Sequence, residues 1–124
     1  MDCVTGVQHI GIPSNQIEES IRFYTTLGFE IVHQPEHKST VVFLQLGNLM
    51  IELYEEDKVA GKVGAINHIA LNCTDITTAY QHISALGIPS IEGEIRGLPF
   101  WENGVRFFSV TGPNSEIIEF CQRL

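Results

Sequence analysis

Basic residues are scarce in this chain. Its 124 residues include seven Lys and Arg against 15 Asp and Glu, which gives a formal net charge of −8. Nucleic acids and anionic membrane surfaces are recognised by clustered basic side chains, so we expect neither as a partner. With 44% hydrophobic and 18% charged residues, the chain still has enough apolar material for a folded core.

Cysteines and long apolar segments are also few. The three cysteines, an odd number, lie in or beside apolar runs, which is typical of buried thiols in a reducing compartment: Cys3, Cys73 and Cys121. No apolar run approaches the roughly 20 residues of a membrane-spanning helix. The first six residues lack the basic and apolar regions of a secretory signal peptide. We therefore expect a cytoplasmic protein, with one domain over residues 1–124.

An internal repeat organises the chain. Residues 9–29 align without a gap with residues 68–88 at an offset of 59, which pairs His9 with His68 and Gly28 with Gly87. Further on, residues 50–53 align with residues 117–120 at an offset of 67, so the second copy carries eight extra residues. The repeat predicts two modules of the same architecture.

Each copy predicts a strand, a helix and three more strands. In module one, about 4–55, strands are expected at about 4–12, 29–34, 40–46 and 49–55. Asn15 and Glu18 are typical of a helix N-cap and Gly28 of a C′ glycine, so a helix should lie between them. The polar stretch at about 56–64 should link the copies. In module two, about 65–122, we expect a helix at about 75–86 and strands near 65–73, 88–95, 105–111 and 116–122. The fold class predicted is α+β, with two βαβββ modules.

Alternation along the strands places one His and one Glu of each copy on the face opposite the helix. These residues are His9 and Glu52 in module one, and His68 and Glu119 in module two. A carboxylate flanked by apolar neighbours in mid-strand is costly to bury unless it is paired or bound to a cation. Two imidazoles and two carboxylates match a site for one divalent ion: Zn, Ni, Co, Fe or Mn. A single strand His usually has a structural role, but recurrence of both residues favours the metal site.

The same alternation predicts the surroundings of this site. His33 and His37 are spaced as a helical metal pair, but Pro35 between them breaks such a helix. Substrate contacts are expected from Met50, Tyr54 and Asn72 within the set that faces the site: Val7, Gly11, Met50, Tyr54, Ala70, Asn72, Ile117 and Cys121.

The stretch 93–104 carries the extra residues of module two. It contains three glycines, a proline and the only Trp of the chain. It is either a lid that brings Phe100 and Trp101 to the substrate, or an ordinary hairpin loop with a buried Trp. Arg96 and Arg106 flank it and are either contacts for a substrate carboxylate or phosphate, or solvated arginines. Among these residues, Trp101 and Arg106 are our candidates for substrate binding.

Both modules open with a His strand (VQHIGI, INHIALN) and close on a Glu strand (NLMIELYEE, GPNSEIIEF). In this they resemble the vicinal oxygen chelate superfamily, which includes glyoxalase I, methylmalonyl-CoA epimerase, extradiol dioxygenases and fosfomycin-resistance enzymes. The resemblance covers nearly the whole chain. It implies the glyoxalase/bleomycin resistance/dihydroxybiphenyl dioxygenase fold, in which the modules form a curved, cup-like mixed sheet around one metal ion. It also implies a small-molecule substrate and a homodimer.

The His, Glu, His, Glu order of the four candidate ligands is most similar to that of glyoxalase I. This resemblance implies a metal-dependent lyase or isomerase that converts the hemithioacetal of a 2-oxoaldehyde through an enediolate. Glu119 or Glu52 would then be the catalytic base. The alternatives are a methylmalonyl-CoA epimerase-like enzyme acting on an acyl-thioester, and a non-catalytic small-molecule-binding module of the resistance type.

Overall fold

The computed structural model describes residues 2–35 and 40–124, and the two halves of the repeat form separate compact units, Met1–Ala60 and Gly61–Leu124. The first unit contains β1 (Ile10–Ser14), α1 (Ile17–Thr26), β2 (Glu30–His33), β3 (Val41–Leu46) and β4 (Leu49–Glu55). The second contains β5 (His68–Asn72), α2 (Ile76–Ala85), β6 (Arg96–Leu98), β7 (Val105–Thr111) and β8 (Ile117–Arg123). The predicted α+β class with two βαβββ modules is confirmed.

Each unit has one mixed four-stranded sheet. The strand order is β1-β4-β3-β2 in the first unit and β5-β8-β7-β6 in the second. In both, the first strand is parallel to the last, and the remaining pairs are antiparallel. The first strand of each module therefore lies at a sheet edge, next to the strand that carries the predicted Glu ligand.

The apolar core of each unit lies between its helix and one face of its sheet. α1 packs on β3 and β4, and α2 packs on β7 and β8. In the second unit Phe108 stacks on Phe120 with ring centroids 4.8 Å apart, and Tyr80 of α2 meets Phe108 edge-on at 5.0 Å. Alternate residues fill these cores, and those with no or almost no exposure include Tyr24, Val42, Leu44, Ile51, Leu53, Ile76, Phe108, Val110 and Ile118. The other face of each sheet is left for the intervening residues, Glu52 and Glu119 among them.

Three predicted strands differ from the observed ones. The strand expected near 65–73 begins at His68. The first strand begins at Ile10, not near residue 4, because in the Ile10–Ile51 register the first residue of β4 lies opposite residue 8 and residues 4–7 have no partner there. The strand predicted near 88–95 is wrong. Pro89 in that stretch has no N–H to donate, and Glu92 Oε2 accepts the Ser109 backbone N–H at 2.7 Å in place of a strand carbonyl. Strand pairing with β7 begins only at β6.

The start of α1 also differs from the prediction. Gln16, not Asn15, occupies the N-cap position, and its side chain makes no capping hydrogen bond. The buried Ser14 hydroxyl accepts the Gln16 backbone N–H at 3.0 Å and contacts the Ser20 hydroxyl at 2.8 Å. The end of α1 is as expected, since Gly28 follows it with a φ of 99°, in the range that glycine alone adopts freely.

α2 has the side-chain cap that α1 lacks. The Asp75 carboxylate accepts the backbone N–H groups of Thr77 and Thr78 at 3.0 and 3.1 Å, and the Thr78 hydroxyl at 2.8 Å. The backbone and hydroxyl hydrogen bonds from Thr78 lower the pKa of Asp75 below its ordinary value of 3.8, and the charge of Arg106 acts in the same direction. The carboxylate therefore stabilises the folded chain in its ionised form.

Loss of this contribution should be visible in the pH dependence of stability. Because the folded pKa lies below the unfolded one, the stabilisation is present above about pH 3.8 and is lost as the pH falls through the folded value. Asp75→Asn keeps an N-cap acceptor without the charge. We expect the wild type to have the higher free energy of unfolding at pH 7, and the difference to shrink as the pH falls below 3.8. Urea unfolding at a series of pH values measures it, and a difference that grows on acidification would contradict the cap.

All three cysteines are free thiols. Cys73 and Cys121 are partly buried, whereas Cys3 is exposed, so the expectation of buried thiols is wrong for Cys3. It lies before β1, in a segment outside the sheet. No helix in the described part of the chain is long and apolar enough to cross a membrane.

Candidate functional site

The first predicted pair lies at the edge of the first sheet. His9 directly precedes β1, and Glu52 is in the middle of β4. Gly11 is the register partner of Glu52, and residues two apart share a face, so His9 and Glu52 project on the same side. His9 Nε2 lies 3.1 Å from Glu52 Oε2. Both side chains are about two-thirds covered and still open to solvent.

The second module repeats this arrangement with the same atoms. His68 opens β5, and Ala70, two residues on, is the register partner of Glu119 in β8. His68 Nε2 lies 3.6 Å from Glu119 Oε2, and Glu119 is the more covered of the two site glutamates. Within the described residues of each unit, no third His, Cys, Asp or Glu joins the pair to complete a metal site. Each module therefore supplies two of the four predicted ligands.

Two amide side chains accept hydrogen bonds from the Nδ1 atoms of these imidazoles. Gln8 Oε1 lies 2.9 Å from His9 Nδ1, and Asn67 Oδ1 lies 3.0 Å from His68 Nδ1. An amide oxygen can only accept, so Nδ1 donates in both contacts. Gln8 and Asn67 were not among the predicted site residues, although the offset of 59 that relates the histidines also relates the residues before them.

Aromatic residues surround the first pair. Phe43 in β3 is the register partner of Glu52, and its ring meets the His9 ring edge-on at 5.8 Å. His33 pairs with Phe43 from the other side, with ring centroids 5.8 Å apart, while His37 lies outside the described residues.

The absence of a side chain at Gly11 leaves room beside this pair. A Cβ at Gly11 would lie 3.5 Å from Tyr54 Cε1 and 3.8 Å from Glu52 Oε2. Met50 and Tyr54, the two predicted substrate contacts of this module, are each two residues from Glu52 in β4 and so share its face. Tyr54 and Glu52 both border the space at Gly11.

Polar groups surround the second pair. The buried Ser109 is the register partner of Glu119, and Asn72 is the partner of Cys121, two residues further along β8. Burial raises the pKa of the Cys121 thiol, and the charge of Glu119, which accepts the thiol's hydrogen bond, raises it further. Asn72 is thus on the side of Glu119, as predicted from the alternation.

Trp101 and Arg106, the predicted substrate contacts near the long loop, lie at the β6–β7 hairpin of the second unit. Arg106 pairs with Gln122, one residue out of step with the Phe107–Cys121 pair, so it lies on the helix side of the sheet. It is not brought together with Glu119. The ring of the exposed Trp101 stacks under the Arg123 guanidinium, 4.1 Å from the ring centroid. Trp101 and Arg106 both line a surface depression of about 630 Å³ beside the β6–β7 hairpin.

The sequence model of the Glyoxalase/Bleomycin resistance protein/Dioxygenase superfamily matches residues 6–120. The chain belongs to this superfamily. All four predicted ligands fall inside the matched range. Members of the Glyoxalase/Bleomycin resistance protein/Dioxygenase superfamily generally bind small molecules, and they typically bind a divalent metal.

Three proteins illustrate the relationship. YwbC, an uncharacterized protein of Bacillus subtilis (strain 168), is 32% identical over 94% of this chain and 97% of its own length. The mitochondrial methylmalonyl-CoA epimerase of Homo sapiens is 29% identical over 77% of this chain and 66% of its own length. The crystal structure of the fosfomycin resistance protein FosX from Listeria monocytogenes aligns with a TM-score of 0.78 at 18% identity, covering 98% of this chain and 95% of that one. The last comparison shows the shared fold.

The chemistry of the donor atoms fits a divalent metal. In each module the imidazole Nδ1 is engaged by an amide, and Nε2 faces a carboxylate oxygen. Imidazole nitrogen and carboxylate oxygen are ligands for zinc, nickel, cobalt, iron and manganese. An outer hydrogen bond at the second ring nitrogen is typical of metal-bound histidines. Each pair, His9 with Glu52 and His68 with Glu119, is therefore chemically suited to bind such an ion.

Proposed function

We propose that the chain is a divalent-metal-dependent enzyme that moves a proton on the carbon next to a carbonyl group. The observation that carries this proposal is the His–Glu pair that each module forms with the same atoms, Nε2 and Oε2. The apolar cores do not include these four residues, so packing of the core does not explain a His–Glu pair in both modules. We propose that the two pairs are the halves of one ligand set, and on this proposal residues 1–124 are one functional domain.

In this proposal His9, Glu52, His68 and Glu119 hold the metal. The ion would polarise the substrate carbonyl and stabilise the negative charge that develops on its oxygen when the neighbouring carbon loses a proton. The neutral imidazoles add no charge, whereas the two carboxylates balance the charge of a divalent ion. The net charge of the occupied ligand set is then close to zero, which lowers the cost of covering it with substrate.

Glu119 is the proposed catalytic base. A carboxylate beside the substrate can take the proton from the carbon and then return it, either to the adjacent carbon or to the same carbon. Ser109 is the register partner of Glu119 on β7, and Cys121 lies two residues along β8 on the same face. Glu52 lies in the equivalent position of the other module and supplies the second acid–base group. Two such groups, one on each face of the carbon, allow the proton to be removed from one face and returned to the other.

Of the two candidate reactions, we favour epimerisation of an acyl-thioester. It is supported by the 29% identity to human methylmalonyl-CoA epimerase. The first module also has Pro13 four residues after His9, where glyoxalase I usually has an Arg that meets the glutathione carboxylate, and a proline offers no charge for that carboxylate. Isomerisation of the hemithioacetal of a 2-oxoaldehyde is the second candidate, because the His, Glu, His, Glu order resembles glyoxalase I.

Isotope exchange tests both reactions. The chain, loaded in turn with Zn²⁺, Ni²⁺, Co²⁺ or Mn²⁺, is incubated in deuterated water with methylmalonyl-CoA, and separately with methylglyoxal plus glutathione or another low-molecular-weight thiol. We expect deuterium to enter the carbon next to the thioester carbonyl of methylmalonyl-CoA. Turnover of the methylglyoxal adduct alone would favour the second candidate. Binding of these molecules without exchange or turnover would replace the enzyme by a non-catalytic binding module.

We also propose that the chain forms a homodimer. The first strand of each sheet, and the strand at its other end, are sheet edges within the described residues, and edges in stable proteins are usually covered. Light scattering at micromolar concentration should give twice the chain mass of 13.8 kDa. A mass of one chain would contradict the dimer without affecting the proposed chemistry.

A further inference from the structure

Two amide side chains contact the candidate metal ligands, and the proposed reaction leaves them without a role. Gln8 and Asn67 precede His9 and His68 at repeat-equivalent positions, and their oxygens lie 2.9 and 3.0 Å from the imidazole Nδ1 atoms. We propose that Gln8 and Asn67 are positioning residues: each holds a proton on Nδ1 and so directs Nε2 toward the glutamate as the metal-binding atom. The metal-binding part of this inference rests on the proposed function, whereas the anchoring of Nδ1 does not.

The chemistry of imidazole explains what this contact does. A neutral ring carries its single proton on one of its two nitrogens, and only the other nitrogen offers a lone pair. A proton held at Nδ1 leaves Nε2 free to bind a cation. If the proton were on Nε2, it would first have to leave that nitrogen before Nε2 could bind a metal. The amide oxygens accept and never donate, so both contacts place a proton on Nδ1 and leave Nε2 as the nitrogen that faces the glutamate and can bind a cation.

The contact is repeated although the residues that make it differ. The Gln8 side chain is one methylene longer than that of Asn67, and His9 lies before its strand whereas His68 is the first residue of its strand. The feature that recurs is thus the hydrogen bond to Nδ1 itself. Both amide residues are exposed, so neither fills a core. Packing gives no reason for an amide at these two positions, and the histidine contact does.

The test removes or keeps the acceptor at each position. Gln8→Leu and Asn67→Leu remove it, while Gln8→Glu and Asn67→Asp retain an oxygen acceptor. Gln81→Leu, on the exposed side of α2, is the matched control. In the chain with ¹⁵N-labelled histidine, the imidazole ¹⁵N chemical shifts should show the proton of His9 and of His68 on Nδ1. Each Leu variant should shift its own histidine toward the Nε2-protonated tautomer and leave the other histidine unchanged.

Zinc affinity gives the second measurement. We expect each Leu variant to bind Zn²⁺ about 10-fold more weakly, at the lower end of the range for such outer contacts because these amides are exposed. The Glu and Asp variants should restore the affinity, and Gln81→Leu should not change it. Equal imidazole ¹⁵N shifts in the wild type and the Leu variants, or unchanged affinity in the Leu variants, would overturn the inference. If the wild type binds no zinc while its ¹⁵N shifts show the proton on Nδ1, the proposed function fails and the anchoring remains.

Discussion

Replacing Glu119 by Gln is expected to lower the rate of deuterium incorporation from solvent by about 10²- to 10⁴-fold, the range for removal of a general base. Gln has nearly the same shape, so its contacts with the neighbouring Ser109 and Cys121 should be kept, but its amide cannot take a proton from carbon. The measurement is the initial rate of deuterium entry into the substrate of the metal-loaded chain, followed by mass spectrometry.

Metal content has to be measured for this variant, because Glu119 is also a proposed ligand. Rates are therefore compared at saturating metal. Glu18→Gln, an exposed position on α1, makes the same chemical change away from the pair and should keep the wild-type rate. A full rate in the metal-loaded Glu119→Gln chain would contradict its role as base. In that case Glu52→Gln, the equivalent change in the first module, should show the loss.

The variant His68→Ala is expected to bind Zn²⁺ at least about 100-fold more weakly than the wild type. Loss of an outer contact alone typically costs about 10- to 100-fold in affinity, and this change removes a proposed ligand. The carboxylate of Glu119, now 3.6 Å from the His68 Nε2, would also lose its nitrogen partner. At zinc about 100-fold above the wild-type Kd, the wild type should gain about 2.7 kcal/mol in unfolding free energy. The variant should gain no more than about 0.4 kcal/mol.

Competition with a chromophoric chelator measures the affinity, and thermal or urea unfolding with and without zinc measures the stabilisation. His82→Ala, on the exposed surface of α2, removes an imidazole of the same type outside the candidate site and should bind zinc as the wild type does. His9→Ala should behave as His68→Ala does. Equal and near-zero zinc in the wild type and His68→Ala would end the metal hypothesis.

The pairing of one His and one Glu in each module was predictable because it depends on local rules. Side chains alternate along any strand, so their parity can be counted from the sequence once the strand has been recognised. The repeat then supplies an independent check, since His9 recurs as His68 and the Glu of the last strand recurs as well. These two signals are sufficient to select both pairs without any knowledge of the strand order.

Other features depended on partners that are distant in the sequence. The stretch before β6 is apolar enough for a strand, but Glu92 occupies the backbone N–H of Ser109 that a strand there would use. Arg106 flanks a loop with the composition of a lid, yet its register partner Gln122 places it on the helix side. Gln8 and Asn67 stand at repeat-equivalent positions, but their residue types differ, and their distances to Nδ1 are what assign them a contact.

The sequence by itself determined the two βαβββ modules and the four ligand-type residues, His9, Glu52, His68 and Glu119, because periodicity and repetition are properties of the chain. Only the tertiary structure decided the atoms that meet: Nε2 with Oε2 in each pair, and Nδ1 with an amide oxygen. It also decided that Arg106 lies away from Glu119. The physical reason is register. A shift of one residue between neighbouring strands exchanges the two faces of a sheet, and that shift is set by hydrogen bonds between segments far apart in sequence.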